Sequence, residues 1–441
     1  MKILLIAAKF PPYQSIGALR ASKLAQYWIN KGHEVRVLAM KNPPIPIGLE
    51  LEIDPGLVTY TNLFNVNFLP ELFFGGREKV VKSGYKTHSK GLKSLGFIYR
   101  TLFNYPDELA GWLPYAVRSG DMLIRQWKPD LIYASGMPYT AFMVADRLAQ
   151  KHTIPWVAEL RDPWVDSYLY PYPAWRRKRE ERLEKATLSS ASGLVTVSQP
   201  LADVLVKNYT KPVAVVMNGF DPEDYPHPET LNPPDPDLLR IVYTGGIYPG
   251  YRDPTPLFAA LRQMGPLAEK VRVQFFTRYL DWVLTQARNL SIEHLVEGKP
   301  LIPYRESLKT QMEADVLLML LWNDPAEQGV LSRKLFEYFG ARRPILAIGL
   351  GHDIAACLVR ERQAGLVSNN ADEIAAQIAS WLKQKAVKGM IAPPPPEARR
   401  GLSRREQFDI LDCFLKQHIS IRDIPNSSNS FPSGRRTKGG R

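Results

Sequence analysis

A lysine and a glutamate stand three residues apart in the segment Ser332-Arg333-Lys334-Leu335-Phe336-Glu337-Tyr338-Phe339. Leu335, Phe336 and Phe339 supply a buried helical stripe, and Ser332 is an N-cap residue type. Lys334 and Glu337 then share one face near the positive end of a helix. A lysine there suits a phosphate, and a carboxylate suits the paired hydroxyls of a ribose. The competing reading is an ordinary i,i+3 salt bridge worth about 0.2–0.5 kcal/mol.

Two glycine-bearing loops add to this pair. Tyr243-Thr244-Gly245-Gly246 ends an apolar run, and Arg252 follows a few residues later. Paired glycines with a cation could hold a diphosphate, although Gly-Gly turns after strands are common and Arg252 could simply be solvated. Near the N-terminus, Phe10-Pro11-Pro12-Tyr13-Gln14-Ser15-Ile16-Gly17-Ala18-Leu19-Arg20 joins an apolar run to a helix. Gly17 at the helix start would let an anion approach free backbone N–H groups; it could equally be a glycine that only permits the turn. Other chemistries find no support. Gly349-Leu350-Gly351 opens like a dinucleotide fingerprint, but Ile354 stands where the third glycine belongs. The seven histidines form no metal-ligand spacing, Cys357 and Cys413 form no CxxC pair, and neither GxSxG nor a Walker A sequence occurs. No metal site is expected.

These loops need strands and helices to aim them. Ile3–Ala8 is a continuous apolar run of the kind found in central parallel strands. Ala21, Leu24, Ala25 and Trp28 then fall at helical spacing, Gly32 ends the helix, and Glu34 to Met40 forms the second strand. Further strands are expected at Leu131–Ala134, Trp156–Leu160, Leu194–Val197 and Val213–Met217, with a helix from about Tyr139 to Gln150. Residues 222–236 contain six prolines, too many for a helix or central strand. Beyond them, strands are expected at Arg240–Tyr243, Val271–Phe276, Val316–Leu321 and Pro344–Ile348. The pattern predicts an α/β protein of two doubly wound domains, where ligands bind beyond the carboxyl ends of the strands. The expected divisions are residues 1–217, a Pro-rich linker over 218–239, and a second domain over 240–400.

The composition agrees. The chain has 441 residues, 45% hydrophobic and 23% charged, which excludes disorder as the main state and a disulfide scaffold. The run Val316–Trp322 is far shorter than the ~20 residues of a membrane span. The opening apolar stretch is too short for a secretory leader. A cytoplasmic protein is expected.

The net charge of +13 is concentrated in patches. Residues 77–100 carry seven basic residues against Glu78, residues 175–185 six against three glutamates, and residues 426–441 four and no acid. The last segment, rich in Ser, Gly and Arg, reads as a disordered tail. No nucleic-acid recognition motif accompanies the charge, so no nucleic-acid partner is expected. Aromatic residues accompany the first two patches: Phe73, Phe74, Phe97 and Phe103 within segment 72–103, and Tyr168, Tyr170, Tyr172 and Trp175 directly before RRKR within segment 168–185. That mixture suits an anionic membrane surface and peripheral attachment; the alternative is a solvated basic face over a buried apolar stripe.

With these residues assembled, the chain resembles retaining glycosyltransferases of the GT-B fold, family-4 type. The resemblance is carried by KILLIAAKFPPYQSIGALRASKLAQYWINKGHEVRVLA, PDLIYASGMPYTA, IPWVAELRDPW, ASGLVTVSQPLADVL and VVMNGFDPEDY, then LRIVYTGGIYPGYRDP, ADVLLML and SRKLFEYFGARRPILAIG. It covers most of residues 1–415. It implies two Rossmann-like domains facing a cleft, with a last helix, over 401–420 and starting near Ser403, that returns to the first domain. It implies a nucleotide-sugar donor on the second domain, a glycan or lipid-linked acceptor on the first, and no cofactor or metal.

By the resemblance, Glu337 matches the second glutamate of a paired-glutamate motif and would bind the ribose. Lys334 would face the diphosphate, and Gly17 the donor phosphates. Arg161 falls where relatives place a histidine near the reacting sugar, so Arg161 and the adjacent Asp162 are the catalytic candidates. Gly245, Gly246 and Arg252 complete the donor-binding set. The motif's first glutamate would fall at Gly329, and Gly246 replaces an arginine common in relatives. A non-catalytic scaffold that binds a nucleotide sugar or a partner is the alternative these two departures favour.

Overall fold

In the computed structural model, residues 1–13, 15–41, 49–67, 90–166, 170–322, 329, 331–349 and 351–419 are described. They form two parallel sheets, each sandwiched between helices. In the first, β1 (Lys2–Ile6), β2 (Glu34–Met40), β3 (Val58–Thr61), β4 (Leu131–Gly136), β5 (Trp156–Leu160), β6 (Gly193–Thr196) and β7 (Val213–Val215) take the order β3-β2-β1-β4-β5-β6-β7. In the second, β8 (Leu239–Thr244), β9 (Val271–Phe276), β10 (Val296–Lys299), β11 (Val316–Leu320), β12 (Ile345–Ile348) and β13 (Gly365–Val367) take the order β10-β9-β8-β11-β12-β13.

Why parallel strands form here follows from burial. In the first sheet, Ile3 and Leu5 of β1 enter one core while Leu4 and Ile6 enter the other. With both faces covered, an unbroken apolar strand has no solvent side to satisfy. One face packs on α1 (Ile16–Asn30) through Ala21, Leu24, Ala25 and Trp28, as the helical spacing predicts. Across the other face, α3 (Leu113–Trp127) and α4 (Thr140–His152) cover the sheet, the amphipathic α2 (Lys90–Phe103) having come before them. The helix α5 (Ala174–Ser189) follows β5, and α6 (Gln199–Asn208) follows β6. The second domain adds α7 (Thr255–Met264), α8 (Leu280–Asn289), α9 (Tyr304–Glu313), α10 (Arg333–Ala341), α11 (Ile354–Glu361) and α12 (Ala371–Lys388).

The last helix, α13 (Arg404–His418), starts at a capping box made by Ser403 and Glu406. Its Phe408, Leu411, Phe414 and Leu415 complete the core beside α1, and Tyr27 Oη donates to Asp409 Oδ1 at 2.6 Å. The chain thus passes between domains twice, and the two crossings touch. Phe220 N–H donates to the Leu402 carbonyl at 3.3 Å, and Arg404 N–H donates to the Phe220 carbonyl at 2.8 Å. A side chain at Gly219 would collide with the Arg404 backbone. The proline-rich stretch between β7 and β8 holds single 3-10 turns at Pro222–Asp224 and Pro228–Thr230.

In each sheet the strand order reverses direction at one crevice, between β1 and β4 and between β8 and β11. Those are the positions where ligands of doubly wound sheets bind. The loop after β11 meets the chain after β6 and β7: Asn218 Nδ2 donates to the Leu331 carbonyl at 3.2 Å. Gly329, between β11 and α10, comes so close to the start of α6 that a Cβ there would lie 3.1 Å from Ser198 Oγ.

Candidate functional site

The second domain places its candidates around one carbonyl. Ser332 accepts from Lys334 N–H and starts α10, which aims Lys334 back across the end of β8. Its Nζ donates to Tyr243 Oη at 2.6 Å, lies 4.1 Å from that ring's centroid and reaches the Gly246 carbonyl at 3.5 Å. Tyr243 Oη donates to the same carbonyl at 2.6 Å, as does Arg252 Nη1 at 3.3 Å. Gly245 has φ +113°, and a Cβ there would sit 3.3 Å from Lys334 Nζ; in front of Gly246 the space is open. Burial, then the Arg252 charge, holds the Lys334 pKa well below that of an ordinary lysine. Arg252 Nε is buried and lacks a hydrogen-bond partner among the described residues.

Glu337 lies one turn deeper and is buried. Its Oε1 meets Arg333 Nε at 2.6 Å, and its Oε2 accepts from Gln311 Nε2 at 3.2 Å. The i,i+3 bridge between Lys334 and Glu337 considered from sequence is replaced by this i,i+4 pair. The cause is tertiary: Tyr243 draws Lys334 toward β8, while Tyr304 lies under the Arg333 guanidinium at 4.8 Å and keeps it over Glu337. Gly329 has φ +90° and abuts Ser198, Pro200 and Leu201, so a glutamate could stand there only with strain and displacement.

In the first domain, Gly17 and Arg161 meet. A Cβ on Gly17 would lie 2.5 Å from Arg161 Nη2 and 2.6 Å from Nη1, so the missing side chain is what admits the guanidinium. Arg161 donates from Nε to the Gly136 carbonyl at 2.7 Å and from Nη2 to the Met137 carbonyl at 3.1 Å. This ties the loop after β5 to the loop after β4, at the crevice beside β1. Burial lowers the Arg161 pKa against the opposing charges of Glu159 and Asp162, while burial raises that of Asp162 against Arg161.

Arg20 leaves the site altogether. It is fully buried and pairs with Glu159 Oε1 at 2.9 Å, with further bonds to the Val216 and Met217 carbonyls at 2.9 Å. Ser135 and Tyr133 hydroxyls donate to the same carboxylate. Burial would raise the Glu159 pKa, but Arg20 and Arg161 hold it below the usual value. The sequence signal was available: Glu159 stands in an otherwise apolar strand, where a charge needs a partner.

The basic stretch within α5 also departs from expectation. Arg176, expected at a membrane face, is fully buried. It donates to the carbonyls of Arg100 at 2.8 Å and Thr101 at 2.6 Å, and its guanidinium lies 3.6 Å from the Tyr172 ring centroid. These are the carbonyls that the end of α2 leaves unpaired. Trp175 stays half exposed, as do Ile98, Leu102 and Phe103. Tyr168, residues 72–89 and the tail lie outside the described residues. Among the described residues no helix is long and apolar enough to cross a membrane, and no group of three or more His, Cys, Asp or Glu could hold a metal ion.

Sequence reasoning passed over an aromatic group beside the clamp. Tyr251 stacks on Trp322 with centroids 4.8 Å apart and planes at 16°, and Tyr248 meets Trp322 edge-on at 5.4 Å.

Comparison with known proteins bears on the fold. Residues 17–219 match the family model of the glycosyl transferase 4-like domain. No curated protein matches the chain in sequence. Among solved structures, Anabaena HepE in complex with UDP-glucose is similar with 14% identity and a TM-score of 0.59, over 94% of this chain and 100% of that one. Sucrose-phosphate synthase from Thermosynechococcus elongatus shows 14% identity and a TM-score of 0.55, over 94% and 95%. The lipopolysaccharide outer core galactosyltransferase WaaB, in its apo form, shows 12% and 0.54, over 94% and 99%. The chain has the GT-B fold, and its residues 17–219 are similar to the glycosyl transferase 4-like domain.

Proposed function

We propose that the enzyme transfers a hexose-type sugar from a nucleotide-sugar donor to a glycan or lipid-linked acceptor, with retention of configuration, in envelope polysaccharide or glycolipid synthesis. One observation carries the donor reading. Lys334 and Arg252 converge on the Gly246 carbonyl, and neither forms an ion pair among the described residues. Two cations brought together without a carboxylate make a site for a diphosphate. Departure of the nucleoside diphosphate builds negative charge on its oxygens, and preorganised cations stabilise that charge most where water is excluded. Gly245 and Gly246 keep the approach open, Glu337 holds the ribose, and the Gly17 helix start faces the phosphates. Arg161 and Asp162 are assigned to the reacting sugar. No cofactor or metal takes part in this scheme. That HepE was solved with UDP-glucose supports starting with UDP-sugars.

The acceptor reading rests on the exposed Ile98, Leu102, Phe103 and Trp175, with Lys178 and Arg182 exposed on the same helix as Trp175. These suit peripheral attachment to the cytoplasmic face of an anionic membrane.

Thermal shifts with UDP-, GDP- and ADP-sugars test the donor, because specific binding raises stability by mass action. Failure of every donor to shift the unfolding temperature would overturn it. The anomeric configuration of the product tests retention, and turnover in chelator tests metal independence. Sedimentation with anionic and neutral liposomes at low salt tests attachment; failure with both leaves a soluble acceptor.

A further inference from the structure

We propose that Tyr248 and Tyr251, backed by Trp322, form a stacking shelf for the pyranose ring of the transferred sugar. The inference rests on the donor reading above and adds what the site selects. Tyr251 and Tyr248 lie in the loop after β8, and Trp322 lies just after β11. The shelf therefore flanks the crevice where the strand order reverses, the position expected for a ligand.

Trp322 is 7% exposed and acts as the backing; Tyr248 and Tyr251 are 48% and 44% exposed. Two large rings fixed in place by a third, yet open to water, hold contact area in readiness at little entropic cost. Arg252 joins shelf to clamp. Its guanidinium lies 5.1 Å from the Tyr248 centroid and 5.4 Å from that of Trp322, while its Nη1 contacts the Gly246 carbonyl. A ring resting on the shelf is thus a neighbour of the cation that would hold the diphosphate.

In a nucleotide sugar the ring joined directly to the diphosphate on its far side is the pyranose; the base is set apart by the ribose. A pyranose has an apolar face of C–H groups that packs on aromatic rings, and its hydroxyls remain at the rim. Tyr rather than Phe in both positions supplies hydroxyls for that rim. Glu337, the ribose candidate, is engaged with Arg333 and Gln311 and touches none of the three aromatic rings in the described contacts.

The test compares two ligands of the full-length protein by titration calorimetry: the best nucleotide sugar from the donor panel and its parent nucleoside diphosphate. Wild type should bind the nucleotide sugar more tightly than the parent diphosphate. The Tyr248→Leu, Tyr251→Leu double variant should lose about tenfold in affinity for the nucleotide sugar and leave the diphosphate unchanged. Tyr251→Phe, which keeps the ring, should retain most of the sugar affinity. Equal weakening of both ligands, or of neither, overturns the shelf. A wild type that binds the diphosphate but gains nothing from the sugar also overturns it and leaves the donor reading standing. A wild type that binds neither overturns both.

Discussion

The Lys334 pKa is held well below that of an ordinary lysine, because burial and Arg252 disfavour its charge more than Glu337 supports it. An arriving diphosphate reverses that balance. Its negative charge raises the lysine pKa, so between the free and bound values donor binding takes up a proton. Affinity should therefore fall as pH rises through that window, and calorimetry in buffers of different ionisation enthalpy should register the uptake. Lys334→Met should abolish the uptake and weaken binding by roughly 1.5–3 kcal/mol, the worth of a charged hydrogen bond. Glu337→Gln should weaken binding without removing the uptake, which separates the two roles. Unaltered donor affinity in both variants would mean the cluster is only structural.

At the same scale, the sequence exposed some residues and hid others for a physical reason. Lys334, Glu337, Gly17 and the Gly245–Gly246 pair stood out because they sit at junctions where apolar patterning stops. The role of Arg20 was hidden: it follows Gly17 closely in sequence, but its side chain runs into the interior, where it pairs with Glu159. Arg20→Met leaves Glu159 buried with only Ser135 and Tyr133 as hydrogen-bond donors. A loss of about 3–5 kcal/mol in unfolding free energy is expected from denaturant titration.

Among the elements, α5 governs the loop that carries Arg161 and Asp162. Its buried Glu184 accepts from Val165 N–H and from Tyr209 Oη, both at 3.2 Å. Burial, partly offset by the Val165 N–H, lifts its pKa to about 7. The folded state therefore binds a proton that the unfolded state has released above its own, lower pKa. Stability from this group is greatest below about pH 4.5 and declines until pH passes 7. Glu184→Gln keeps the acceptor for Val165 and removes the charge. It should raise stability by about 1–3 kcal/mol at pH 8 and change little at pH 4.5, as read from urea melts at both values. A gain equal at the two pH values would exclude titration as its cause.

The elements that the sequence revealed are those buried on both faces. β2, β5 and β9 match their expected bounds: β5 is buried along its whole length, and in β2 and β9 the apolar residues stay buried on either side of the half-buried Arg36, Arg272 and Gln274. The edge strands β3, β10 and β13 were passed over: each is three or four residues long and mostly half-buried, so pairing rather than patterning defines it. Helix α2 was hidden by its reading as a basic patch. What fixes its end is Arg176, 73 residues beyond its last residue and invisible to any local rule.

For the whole molecule, the linker and the start of α13 are the two passages between the domains among the described residues, and they are hydrogen-bonded to each other. Opening and closing about these passages would bring donor and acceptor together and exclude water. Small-angle scattering should show a smaller radius of gyration when the donor is added; identical profiles would count against a large closure. Deletion of residues 405–441 removes Phe408, Leu411, Phe414 and Leu415 from the core beside α1 and leaves Leu402 in the core of the second domain. The shortened chain should lose cooperative unfolding of its first domain, while the second domain, whose own cores those side chains do not enter, keeps its melt.

The paired crossings also make the second domain an insertion within the first. Its entry near Phe220 and exit near Leu402 lie side by side, so the intervening chain leaves and rejoins through a single doorway. If the first domain is the acceptor half and the second the donor half, as proposed above, exchanging this internal block in one piece should change donor chemistry without disturbing the acceptor half. A cut at one junction alone would leave the acceptor half without its final helix. Chimeras with related enzymes should therefore fold when the joints are placed at both sides of that doorway and fail when a single joint is placed in the proline-rich stretch.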